Sequence, residues 1–261
     1  MELQEYNRRL SDAREKIVSM DEREKDGIGM QKEKSLHAIL KLIYDEDPAH
    51  HEQPVGPYIA DLKDNDHITE IQTANMGNLR DKLSFYLDDF RVKVVYPIPH
   101  KKYITWIDSL TGELGKRSPS TRTGTFFHAF RELYKIRNFL GHPHLEIELL
   151  LIDLEEYRLK DGWSRDGKRG SHRFDRIPVQ IADRITLSAK EDYAALLTEE
   201  IRCDLPDVFT AAQLEKACGY KGPTFSHVPL ILTDLRVLER VGKNGRAYLY
   251  KIREKQDAVQ T

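Results

Sequence analysis

A mixed α/β domain followed by a small helix–turn–helix–hairpin unit is the fold class that the sequence predicts, and three observations predict it. Between residues 31 and about 200, helical and strand-like apolar patterns alternate, which is the order of a sheet flanked by helices. From 207 to 253, two helical segments precede a strand pair around Asn244-Gly245. Hydrophobic residues make up 39% of the 261 positions, enough for a core, while no run approaches the ~18 apolar residues that cross a bilayer.

Residues 1–30 read as a charged arm or solvated helix: positions 1–25 hold six Lys/Arg and seven Asp/Glu. Met1 to Arg9 has no apolar stretch of a secretory signal, so the expectation is a cytoplasmic protein with no membrane partner. Two cysteines, Cys203 and Cys218, give neither a disulfide framework nor a cysteine-based zinc site. From Gln31 to Tyr44 the apolar positions Leu36, Ile39, Leu40 and Ile43 repeat at helical spacing. That helix stops before Asp47-Pro48, because proline disfavours helix in the residue before it.

Two strand-like runs follow, Pro57 to Lys63 and His67 to Thr73, around the turn Asn65-Asp66. With Asp64 opposite His67, Asp61 falls opposite Glu70, and alternation puts Gln72 on the same side. Opposed side chains lie about 4.5–5.5 Å apart at Cβ, so two carboxylates there repel. Either both acids point into solvent, where the repulsion is screened, or a hard divalent cation such as Mg²⁺ lies between them.

Gly77 to Phe85 reads as a helix, Arg91 to Ile98 as a strand closed by Pro97 and Pro99, and Tyr103 to Ile107 as another strand. Thr111 to Thr125 is a loop carrying Lys116, Arg117 and Arg122. Phe126 to Leu140 is a helix stopped by Gly141, and Leu145 to Leu154 is a buried strand. Residues 160–176 form a loop with six basic residues against three acids, among them Lys168, Arg169 and Arg173, either suited to tracking phosphates or an ordinary solvated loop. His50-His51 and His142-Pro143-His144 lack a further ligand at zinc spacing and read as surface residues. Phosphate-loop, dinucleotide and serine-hydrolase motifs do not occur.

The order helix, strand with Asp61, turn, strand with Glu70-Ile71-Gln72, helix, strand resembles the core of the PD-(D/E)XK, or restriction-endonuclease-like, nuclease superfamily, over residues 33 to about 98. The resemblance implies a mixed sheet flanked by helices and hydrolysis of phosphodiester bonds with Mg²⁺ (or Mn²⁺) as cofactor. It implies Asp61 and Glu70 as metal ligands, with Gln72 where the family usually has lysine. The missing cation then comes from Lys82 on the following helix, or second from Arg80, since lysines in this superfamily migrate. Glu33 matches a glutamate that many members carry on the first helix. His37, four residues on, shares its face and is either a site residue or a structural histidine.

Near the carboxyl end, Thr210 caps a helix from Ala211 to Cys218 and a turn leads to a second helix from Thr224 to Val237. A hairpin from Leu238 to Ile252 then encloses a loop at 242–245. Residues 207–253 hold eight Lys/Arg against four acids. This segment resembles a winged helix-turn-helix domain, which implies DNA as partner. Thr224, Ser226 and His227 would open the recognition helix, and Lys243, Asn244 and Arg246 would form the wing. Residues 254–261 are a tail. The expectation is therefore a DNA endonuclease of restriction, repair or phage defence. A homodimer able to cut both strands and partner proteins of such a system are further expectations. The alternative is a non-catalytic DNA-binding regulator or assembly subunit with a degenerate core.

Overall fold

In the computed structural model, residues 2–24, 35–160 and 173–253 are described, without the side chains of 18–24 and 173. Seven strands form one mixed sheet: β1 (His51–Val55), β2 (Tyr58–Asp64), β3 (His67–Ile71), β4 (Arg91–Asp108), β5 (Ser118–Pro119), β6 (Leu145–Lys160) and β7 (Arg173–Leu187). Their order is β1-β2-β3-β4-β6-β7, with β5 paired to β4. The β3–β4 and β4–β6 pairs are parallel and the rest antiparallel. A parallel neighbour needs a crossover, and α3 (Arg80–Tyr86) supplies it between β3 and β4.

Helices cover both faces. On one side α1 (Leu3–Glu24) and α2 (Ser35–Tyr44) bury Tyr6, Leu10, Leu36, Ile39, Leu40 and Ile43 against Ile71, Val95, Leu150 and Ile152. Each large apolar side chain buried this way contributes roughly 1.5–3 kcal/mol. On the other side α3, α4 (Phe130–Leu133) and the 3-10 turns around it pack on Ile68, Val94, Ile147 and Leu149. After α5 (Lys190–Ala195) and α6 (Glu199–Cys203), a three-stranded sheet of order β8-β10-β9 closes the described chain. Its strands are β8 (Phe209–Thr210), β9 (Leu238–Asn244) and β10 (Ala247–Ile252), with α7 (Ala211–Ala217) and α8 (His227–Asp234) between β8 and β9. Among the described residues no helix is long and apolar enough to cross a membrane.

Several expectations need correction. The N-terminal segment is not solvated: α1 lays Tyr6, Leu10 and Ala13 into the core, each no more than 3% exposed. Strand β1 was not expected in His-Glu-Gln-Pro-Val; it forms because β2 offers it a ladder, from His51↔Leu62 to Val55↔Tyr58. Gly56 makes the β1–β2 turn with φ +58, and a Cβ there would lie 2.4 Å from the Phe85 ring. His51 thus heads a strand, and His50 is tied to Asp45 at 2.7 Å.

The expected break at Pro97 and Pro99 is reduced to an irregularity: β4 continues from Arg91 to Asp108, and its pairing with β6 shifts register between Pro99 and Lys102. Val95 directs its carbonyl toward β3, where Gln72 N donates to it. By strand alternation the two prolines face the same side, which β3 vacates after Ile71, so their missing N–H groups cost no ladder bond. The 126–140 helix is broken because Ile136 leaves helical backbone (φ -117, ψ 19). Of the expected basic loop 160–176, Lys160 belongs to β6 and Arg173 to Arg176 to β7, paired with β6, while 161–172 lie outside the described residues. Helix α8 begins at His227 rather than Thr224, since Pro229 has no N–H to donate and is accommodated only in a first turn. The hairpin turn is Gly245-Arg246, with Gly245 at φ +59, so Lys243 and Asn244 sit in β9. The C-terminal unit also shares a core with the sheet. Phe209, Leu214, Val228, Ile231 and Leu232 join the cluster that holds Val94 and Phe130.

Candidate active site on the β2–β3 hairpin

The hairpin register is fixed locally. Asn65 takes φ +50, which asparagine tolerates, and the ladder pairs Asp64↔His67, Lys63↔Ile68 and Leu62↔Thr69. One step further, beyond the last ladder pair, Asp61 comes opposite Glu70. There the Ile71 N–H donates to Asp61 Oδ2 at 2.7 Å, so a carboxylate takes the place of a backbone acceptor. His37 on α2 reaches the same oxygen at 3.1 Å through Nε2.

Glu70 is 3% exposed. Lys82, on α3, donates to both its oxygens at 2.9 and 2.8 Å and to the Ile59 carbonyl at 2.7 Å. Burial pushes the Glu70 carboxyl up to about 7, the negative charge of Asp61 adds to this, and Lys82 and His37 oppose it. The Tyr86 hydroxyl is likewise raised, first by burial and then by Glu70 and Asp61. In both groups burial is the larger cause and the neighbouring carboxylates the smaller one.

A cleft of about 660 Å³ opens beside Asp61, with His37, Lys41, Glu52, Gln72 and Asn75 in its walls. Lys41, 5% exposed, meets Glu52 at 2.5 Å. The Gln72 amide turns away from Glu70 and donates to the carbonyls of Ala74 and Asn75 (3.2 Å to the latter). Arg80 is directed to the Lys135 carbonyl at 2.5 Å, which leaves Lys82 as the cation at Glu70. Glu33 lies outside the described residues, as do Lys168 and Arg169, and of Arg173 only the backbone is described.

Both carboxylates are hard oxygen donors of the kind a divalent cation takes, one of them deeply buried, and each is already engaged within the protein, Glu70 by Lys82 and Asp61 by His37 and the Ile71 N–H. Among the described residues no group of three or more His, Cys, Asp or Glu gathers around a metal-sized space. A cation here would take its remaining ligands from backbone oxygens or water.

At the C-terminal unit, Ser226, Lys243, Asn244 and Arg246 are exposed and Thr224 is half-buried. His227 instead stacks on Tyr134, ring centres 4.7 Å apart, and its burial lowers its pKa.

Residues 34–188, from the start of α2 to the end of β7, match the family described as "Domain of unknown function (DUF8091)". The chain belongs to this family. The family segment contains the whole large sheet and every described side chain of the candidate site, but neither α1 nor the C-terminal unit. A Treponema pallidum (strain Nichols) protein described as "Uncharacterized protein" is 26% identical over 234 residues, covering 84% of this chain and 85% of its own length. No solved structure matches the chain.

Ionisation of Glu70 has a definite sign. A carboxyl at about 7 in the fold, against an ordinary 4.5, favours the folded state most below pH 4.5, and this contribution is lost as pH rises through 7. Between pH 5 and pH 8 the wild type is expected to lose on the order of 3 kcal/mol relative to Glu70→Gln. Paired chemical denaturation curves at both pH values measure the difference; parallel pH profiles would contradict it.

Proposed function

We propose that the protein is a Mg²⁺-dependent (or Mn²⁺-dependent) endonuclease that hydrolyses phosphodiester bonds in DNA, on a PD-(D/E)XK-like core with a C-terminal winged helix. The observation that carries this reading is the grip of Lys82 on both oxygens of buried Glu70, one step across the hairpin from Asp61. Helix, hairpin, helix and parallel strand follow in the order on which the resemblance rests. In the C-terminal unit the sequence β8, α7, α8, β9–β10 supports the winged-helix reading.

Asp61 and Glu70 would hold the cation, which when bound lowers the pKa of a coordinated water and stabilises charge on the phosphoryl oxygens. His37 and the Ile71 N–H orient Asp61. Lys82 orients Glu70 and opposes the upward push of burial on its carboxyl, favouring the ionised form. Gln72 shapes the cleft wall and, being uncharged, supplies neither charge nor a general base. Restriction, repair or phage defence in the cytoplasm, with a homodimer cutting both strands, is the setting we favour by analogy.

The reading is tested by Mg²⁺-dependent cleavage of plasmid DNA. Asp61→Ala and Glu70→Ala are expected to abolish it, and His142→Ala to leave it intact. Because Gln72 stands where the family usually has lysine, a non-catalytic DNA-binding regulator is the second reading. Retarded DNA migration without cleavage under any divalent ion would favour it.

A further inference from the structure

We infer that duplex DNA meets this protein along its phosphate backbone through the β9–β10 hairpin, and not through the amino end of α8; this rests on the DNA-binding reading above. A helix that reads a major groove presents its first turn outward, toward base edges. Here that turn and the residues leading into it are partly built into the core: Val228 and Pro229 are buried and Thr224 and His227 half-buried. Phe225 is 5% exposed, with its ring 6.2 Å from Phe127 and 5.2 Å from Tyr220. His227 is held on Tyr134, whose ring also carries the Arg137 guanidinium at 4.5 Å. Of the three residues at the start of this helix only Ser226 is exposed. Pulling the turn free would break aromatic pairs worth about 0.5–1.5 kcal/mol each beyond their buried area.

The hairpin is the opposite case. Between 238 and 253 it holds Arg240, Lys243, Arg246, Lys251 and Arg253 against a single acid, Glu239, which lies 3.7 Å from Arg253. The whole chain carries a net charge of -2, so positive charge is segregated here. Two of these cations are already ordered on one ring. The Arg240 guanidinium lies 3.7 Å over Tyr248 and the Lys243 ammonium 4.8 Å from the same ring centre. Tyr248 is 37% exposed, and Lys243 stands directly across the ladder from it. Cations placed before binding lose less side-chain entropy when a polyanion arrives. Phosphate contacts carry no base information, so the expected binding is independent of sequence and steep in salt.

The test uses the full chain in EDTA, with two fluorescent duplexes of unrelated sequence titrated across a range of salt. Wild type is expected to bind both with affinities within about twofold. Arg240→Glu with Lys243→Glu should weaken both about tenfold or more, and Arg240→Gln with Lys243→Gln should lower the salt slope by about 2. Thr224→Ala with Ser226→Ala should bind as wild type. Melting curves establish that the exposed-residue variants remain folded. The inference is overturned if the hairpin variants bind as wild type, or if the helix variant changes the preference between duplexes. Wild type that binds no duplex overturns the DNA reading along with it.

Discussion

Lys82→Met is expected to cost DNA cleavage on the order of 10²–10³-fold at pH 7 while leaving the protein folded. Lys82 makes both contacts to the Glu70 carboxylate. Removing one member of a buried ion pair commonly costs about 3–5 kcal/mol, because the other charge is stranded. Glu70 has an escape: its carboxyl already sits at about 7, so without Lys82 it takes up a proton at little cost. The stability loss should then be limited to the missing hydrogen bonds, about 1–2 kcal/mol. Function does not escape, since a protonated carboxyl holds no cation. Raising the pH should return part of the activity by ionising Glu70 again, a recovery that Glu70→Gln cannot show. Single-turnover cleavage at pH 7 and pH 9, with melting curves beside it, measures both effects. Full activity in Lys82→Met at pH 7 would remove this lysine from the chemistry and weaken the nuclease reading with it.

Tyr6→Ala is the variant with the largest expected effect on stability. The ring is 3% exposed, packs edge-on against Tyr44 at 5.9 Å, and carries the Arg184 guanidinium at 4.9 Å. Its hydroxyl donates to Glu148 Oε1 at 2.7 Å. Glu148 is 0% exposed, and Arg184 at 2.9 Å is its closest cation. Truncating a buried aromatic costs about 3–5 kcal/mol, and the loss of one of the two donors to Glu148 Oε1, Arg184 remaining, adds to this. At about 2–4 °C per kcal/mol for a chain near this size, melting should fall by roughly 10 °C. Tyr6→Phe keeps the ring and loses the donor, so about 1–3 kcal/mol is expected. Calorimetry of both variants separates packing from the hydrogen bond. A loss below about 1 kcal/mol in Tyr6→Ala would mean that α1 is dispensable to the fold.

Much of the site was legible because its rules are local. Asn65-Asp66 sets the hairpin register, and alternation then brings Asp61 opposite Glu70 without reference to the rest of the chain. Lys82 could be named as a candidate but not assigned, since its reach to Glu70 depends on how α3 crosses back over the sheet. The same holds for His37, whose place beside Asp61 depends on the docking of α2. In α1 a stripe exists at Leu3, Tyr6, Leu10, Ala13 and Ile17, yet thirteen charges surround it in residues 1–25. Helical periodicity reveals such a stripe; only a sheet face waiting to be covered turns it into core.

From sequence alone came the alternation of helices and strands, the turn that pairs two acids, the Thr210 cap and the basic charge of the last hairpin. Each depends on residues a few positions apart, so backbone sterics and side-chain period suffice to specify it. Tertiary structure alone decided that β1 adds to β2, that β4 passes through two prolines, that Lys82 rather than Gln72 meets Glu70, and that the start of α8 packs partly into the core. Those outcomes turn on which surfaces and unpaired backbone groups come together across the chain, and burial and ladder completion then outweigh local preference.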